Sequence, residues 1–199
     1  MRQSQTKELP MRPIAALLLA AVLGACASTG GSAPPVPELT PRTAWIVGQD
    51  GRAIGQATFT EGDAGVLIRL EFSDRALTPG WHGLHLHTRG DCSDFASGFR
   101  ASGGHLGMRD GVRHGLMIRR GPEAGDLPNI FAAPAGPFGA EMFTPYVTLI
   151  GDQPLRGRQP LLDADGTALM IHAGPDDHAT QPIGGAGDRV ACAALTPLP

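Results

Sequence analysis

His82, His85 and His87 place three of the seven histidines within six residues of one apolar run. On a β-strand, positions two apart share a face, so His85 and His87 point the same way. Two imidazoles on a rigid support are the beginning of a transition-metal site, since imidazole suits zinc, copper, iron and nickel. The competing reading is a pair of surface histidines on a half-exposed strand. His82 has the opposite parity. It shares a face with Leu84 and Leu86 and reads as a core or loop-pinning residue. Further candidate ligands lie downstream, with His105, His114, Glu123 and Asp126 on one long loop and His172 at the end of a later apolar run. His178 sits in a second loop with no partner visible in the sequence and reads as solvated.

The elements that must carry these side chains read as short strands. Val66, Ile68, Leu70 and Phe72 alternate with Leu67, Arg69 and Glu71, the pattern of a strand with one buried face. Similar runs cover 44–47, 53–59, 81–87, 129–132, 140–143, 146–150, 168–172 and 190–195, and Asp50-Gly51 signals a hairpin between the first two. No stretch of the domain shows sustained helical periodicity. With 28 glycines, 18 prolines and few aromatic residues, an all-β sandwich or barrel is predicted. Two irregular segments, 88–125 and 173–188, interrupt the strands and carry most of the polar candidates, as functional loops do. The run Gly184-Gly185-Ala186-Gly187 precedes a strand instead of opening a helix, so a nucleotide-binding reading fails.

The net charge of −3 comes without a basic patch, which excludes a nucleic-acid footprint. Arg2, Lys7 and Arg12 precede the apolar run 14–23, which is too short to span a bilayer and fits a signal-peptide core. Met11 is as good a start as Met1. The run ends in Leu23-Gly24-Ala25-Cys26, which resembles the lipobox of bacterial lipoproteins; the alternative is plain secretory cleavage nearby. Residues 1–26 are therefore predicted to be a lipoprotein signal with Cys26 lipidated, 27–42 a disordered tether rich in proline and small residues, and 43–199 the folded domain. Ala27 in place of aspartate points to the outer membrane. Cys92 and Cys192 remain in an exported chain, where one long-range disulfide is the default and two free thiols the alternative.

Taken together, four segments resemble the copper/zinc superoxide dismutase family. They are Gly80-Trp81-His82-Gly83-Leu84-His85-Leu86-His87, Gly103-Gly104-His105, Ala168-Leu169-Met170-Ile171-His172-Ala173-Gly174, and Gly184 to Cys192 with its Asp188-Arg189. They occur in the family's order between about Trp45 and Leu195. The resemblance implies a Greek-key β-sandwich or barrel with two long functional loops. It implies copper ligands His85, His87, His105 and His172, with His105 bridging to zinc and His114 and Asp126 completing the zinc side. Asp176 matches an aspartate that contacts one histidine of each metal, Cys92 and Cys192 match the family disulfide, and Arg189 matches the arginine that attracts the anionic substrate. The implied reaction is dismutation of superoxide to dioxygen and hydrogen peroxide, with His105 and Arg189 as catalytic residues.

One position departs from the pattern. The family has His-x-x-Asp before the zinc aspartate, and here it is Glu123-Ala124-Gly125-Asp126. Glu123 either supplies a carboxylate to zinc, which accepts oxygen at about the distance of nitrogen, or leaves the zinc side weak. A smaller departure is Leu106 after His105. The rival function is a copper-binding or copper-buffering envelope lipoprotein with little turnover. Predicted partners are superoxide, no nucleic acid, and the membrane through the lipid anchor alone, with the chain a monomer or homodimer in the periplasm.

Overall fold

The alternation in 66–72 decides which face turns inward. Val66, Ile68, Leu70 and Phe72 are buried while Arg69 and Glu71 are exposed. The computed structural model describes residues 41–109, 111–151 and 153–197. The expected signal segment, Cys26 and all but the last two residues of the 27–42 tether lie outside them. Strands β1 (Arg42–Gly48), β2 (Ala53–Gly62), β3 (Gly65–Phe72), β4 (Gly80–His87), β5 (Asp126–Ala132), β6 (Phe138–Thr144), β9 (Thr167–His172) and β10 (Arg189–Leu195) form one antiparallel sheet. Its order is β5-β4-β9-β10-β1-β2-β3-β6, and edge strands β5 and β6 come together to nearly close a barrel. The pairings β3–β6 and β4–β9 join strands distant in sequence, as Greek-key connections do. The described residues contain no α-helix; two 3₁₀ turns, Phe95–Ser97 and Arg100–Ser102, interrupt the long loop.

The barrel core takes one face of every strand. Leu84 and Leu86 of β4 meet Leu169 and Ile171 of β9 there, with Ile46, Phe59, Ile68 and Leu127. Each fully buried side chain of this size contributes about 1.5–3 kcal/mol. Outside the barrel, the opposite face of β9 is buried too. Ala168 and Met170 pack with Phe99 and Cys192 in a second, smaller cluster that Cys92 and Phe95 border. The Cys92–Cys192 disulfide runs through it, with Cα atoms 5.8 Å apart. Phe99 and the disulfide thus fasten the long loop against the outer wall, and that loop covers the outward-facing histidines.

One expected strand is mostly replaced. Of 146–150, only β7 (Val147–Thr148) is extended, and it pairs in parallel with β8 (Gln159–Pro160), which the sequence pattern did not show. The cause is Glu61. Its carboxylate accepts the Leu149 N–H at 2.6 Å and the Thr148 hydroxyl at 3.1 Å, so a side chain takes the place of a strand partner. Arg158 closes the network at 2.8 Å from Glu61, both side chains nearly buried.

Candidate metal centre

His85 and His87 leave the outer face of β4, beside β9, where His85 is in register with Met170 and His172 ends the strand. His105 is drawn in by an isolated bridge with His87. The four rings are at most 3% exposed, and each offers a nitrogen within 4.8 Å of the others. The surface-histidine reading of the β4 pair is thereby overturned, because the loops bury the face that the strand alone would leave open.

Each ring spends one nitrogen on an oxygen. His87 Nδ1 donates to the Gly103 carbonyl at 2.9 Å, His172 Nδ1 to the Gly187 carbonyl at 3.0 Å, His85 Nε2 to Asp176 at 2.8 Å and His105 Nδ1 to Glu123 at 3.0 Å. Such contacts fix the tautomer and leave the other nitrogen with its lone pair. The free nitrogens converge. His85 Nδ1 and His172 Nε2 lie 3.1 Å apart, and His87 Nε2 is buried with no hydrogen-bond partner. Facing lone pairs without a proton repel, and an orphaned buried polar atom costs about 1–3 kcal/mol. A cation among them removes both penalties, so the donor set fits a copper-type metal. Burial, reinforced by neighbouring cations and imidazoles, lowers His85, takes His87 down to about 2 and His172 to about 4. These three rings are neutral and able to ligate at neutral pH.

A second donor set shares His85 and His105 and adds His114 and Asp126, again within 4.8 Å and buried. His114 Nδ1 is 2.7 Å from Asp126 Oδ1, and its Nε2 is 3.2 Å from Asp176 Oδ1. Burial opposes its charge, but the hydrogen bonds to Asp126 and Asp176 prevail and raise His114 to about 10. Asp126 and Asp176 are held below the usual carboxylate range by the same contacts, against the burial penalty. Asp176 is therefore a two-sided clamp, touching His85 of one set and His114 of the other. Gly184 is required beside it: φ is +69°, and a Cβ there would collide with the Asp176 carboxylate and lie 2.7 Å from His114 Nε2. Glu123 is also buried, with Oε2 3.0 Å from His105 Nδ1 and 3.9 Å from His114 Nδ1.

Arg189, at the start of β10, points into the same neighbourhood. It donates to the carbonyls of Phe99 at 2.9 Å and Gly103 at 2.8 Å and to Ser102 Oγ at 3.2 Å. Gly103 is also the acceptor for His87, so the guanidinium is tied to a metal-facing ring through one carbonyl. Arg189 and Arg100 border an open groove of about 600 Å³ with Gln49 and Asp188. His82 is structural, as its parity indicated, with its ring nitrogens 2.6 Å from the His172 carbonyl and 2.8 Å from that of Thr78. His178 is not simply solvated. Its side chain is 17% exposed, with Nδ1 3.6 Å from Asp176, yet it joins neither donor set. The sequence pattern gave no sign of Asn129, whose amide binds both the backbone N–H and the carbonyl of Asp176 at 2.9 and 2.8 Å.

Comparison with known proteins agrees with this geometry. The copper/zinc superoxide dismutase (SODC) family matches residues 53–195. A superoxide dismutase [Cu-Zn] of Caulobacter vibrioides is 47% identical over 153 residues, covering 77% of this chain and 84% of that protein. Superoxide dismutase [Cu-Zn] 2 of Aquifex aeolicus is 37% identical over 151 residues, covering 75% and 83%. Among solved structures, a double mutant of a SOD-like protein from Bacillus subtilis superposes with a TM-score of 0.69 at 32% identity, covering 77% of this chain and 96% of that one. The chain belongs to the copper/zinc superoxide dismutase family.

Proposed function

We propose that this protein dismutes superoxide to dioxygen and hydrogen peroxide at a copper centre formed by His85, His87, His105 and His172. The observation that carries this reading is the convergence of four buried imidazoles, each oriented by an oxygen on its far side. His105, His114 and Asp126 are the residues that would hold zinc. Copper, when bound, supplies the one-electron couple on which dismutation alternates.

The chain's own groups supply the rest. Arg189 presents a fixed positive charge at the edge of the site, and its three hydrogen bonds to the loop keep it from swinging away. A small anion is attracted by such a charge, and superoxide dismutases are a general example of that steering. His105 stands between the two donor sets, and its Nε2 is the atom we assign to hold and return a proton. Asp176 orients His85 and His114 together, so the two sets are mechanically coupled. Copper storage alone would leave the anchored guanidinium without a role.

An exported, lipid-anchored location is part of the same reading. The disulfide suits an oxidising compartment such as the periplasm, and residues 1–26 carry the signal features and Cys26. Among the described residues, no helix is long and apolar enough to cross a membrane. The test is a superoxide dismutation assay on the copper- and zinc-loaded protein beside its His85→Ala variant. Loss of activity in the variant is expected; equal activity in both removes the proposal.

A further inference from the structure

Glu123 stands where the family pattern has a zinc histidine, and its surroundings give it a use on the copper side. Its side chain is 4% exposed, and a buried carboxylate requires a partner. His114 Nδ1 is already directed at Asp126 Oδ1, at 2.7 Å. Asp126 Oδ2 is committed to the backbone N–H groups of Gly115 and Glu123, at 2.7 and 2.9 Å. His105 Nδ1 is 3.7 Å from Asp126 but 3.0 Å from Glu123 Oε2, so Glu123 is its hydrogen-bond acceptor.

Both ends of that contact are fixed by backbone. The Glu123 N–H donates to Asp126, and the Asp126 N–H returns to the Glu123 carbonyl at 3.1 Å, closing a tight turn. Gly125 then stitches the turn to its neighbours: its N–H donates to Leu106 and its carbonyl accepts from Leu86, each at 2.8 Å. A Cβ on Gly125 would run into the Leu86 carbonyl, so glycine is what permits this approach. Leu106 in turn donates to Leu86 of β4 at 2.7 Å, next to His105. The carboxylate and the imidazole are thus mounted on one rigid frame.

We propose that Glu123 is a positioning residue for copper: its carboxylate holds His105 through Nδ1, so that the copper site is complete without zinc. The proposal rests on the reading of His105 as a copper ligand. A carboxylate behind a ligating histidine fixes the ring and raises its basicity, and loss of such a partner costs about 10–100-fold in metal affinity. The negative charge matters, because a charge-assisted hydrogen bond is about twice as strong as a neutral one.

The test uses the full chain stripped of metal and loaded with copper alone in zinc-free buffer. Wild type, Glu123→Gln and Glu123→Leu are compared by competition with a copper chelator and by the Cu(II) electron paramagnetic resonance and visible spectra. Wild type is expected to take one copper without zinc, with a spectrum that later zinc addition changes little. The Leu variant is expected to bind copper about 10–100-fold more weakly with an altered spectrum, and the Gln variant to fall between. Melting curves of the metal-free variants establish that they fold; if the Leu variant does not, the Gln variant decides. Wild-type copper affinity and spectra in the folded variants would overturn the proposal and confine Glu123 to the zinc side. A wild-type protein that takes no copper, with or without zinc, would instead refute the four-histidine copper reading.

Discussion

Replacing both Cys92 and Cys192 by serine removes the cross-link without leaving a reactive thiol. The two residues are 100 positions apart. In the chain-entropy model, closing a loop of that length stabilises the fold by about 4.7 kcal/mol at 25 °C. For a domain of this size each kcal/mol shifts the midpoint by about 2–4 °C, so the metal-free double variant should melt roughly 9–19 °C lower. A second consequence follows from where the bond sits. It lies in the cluster with Phe99, and the Phe99 carbonyl holds Arg189. Loosening the loop should therefore reduce dismutation even below the melting transition, while copper stays bound by β4 and β9. Calorimetry of the metal-free proteins and an activity assay at 25 °C read the two effects. A midpoint within about 3 °C of wild type would refute the assignment of the disulfide as the main fastening of this loop.

Arg189→Ala should lower kcat/KM by about 10-fold or more with copper content unchanged, and should flatten the decline of the wild-type rate with added salt, which rapid-mixing kinetics at several ionic strengths checks. The pH response of the metal-free protein follows from the zinc-side groups. His114 is raised to about 10, so its charged form contributes stability fully below about 6.5, the unfolded value, and that stability is lost as pH rises through 10. Asp126 and Asp176, both lowered, contribute above the unfolded carboxylate range, and their share is lost as pH falls below it. Metal-free melting temperatures should therefore fall between pH 7 and pH 10. Zinc must displace the His114 proton at neutral pH, so titration calorimetry in buffers of different ionisation enthalpy should register proton release on zinc binding.

The barrel was legible because its signals are local. Alternation in 66–72, the Asp50-Gly51 turn and the parity that separated His82 from His85 and His87 all follow from strand geometry. What was not legible depends on contacts between distant segments. The loop groups that meet His85 and His87 are Ser102, Gly103, His105 and Asp176, which lie in stretches without periodicity. Asn129 acts through its amide on a backbone 47 residues away. The β7–β8 pair arises because Glu61 takes donors that a strand partner would otherwise use. The metal-side residues other than the β4 pair became readable through the resemblance of whole segments. His105, His114 and His172 stand alone in sequence and meet only after the loops have folded back.

The central claim is that four histidines hold one copper. Metal analysis of protein isolated from copper-supplied cells, beside its His87→Ala variant, addresses it directly, because His87 Nε2 is a buried nitrogen of the donor set left without a hydrogen-bond partner. One copper per wild-type chain and a variant that loses most of it is the predicted result. Copper retained in full by the variant, or none in the wild type, would contradict the account.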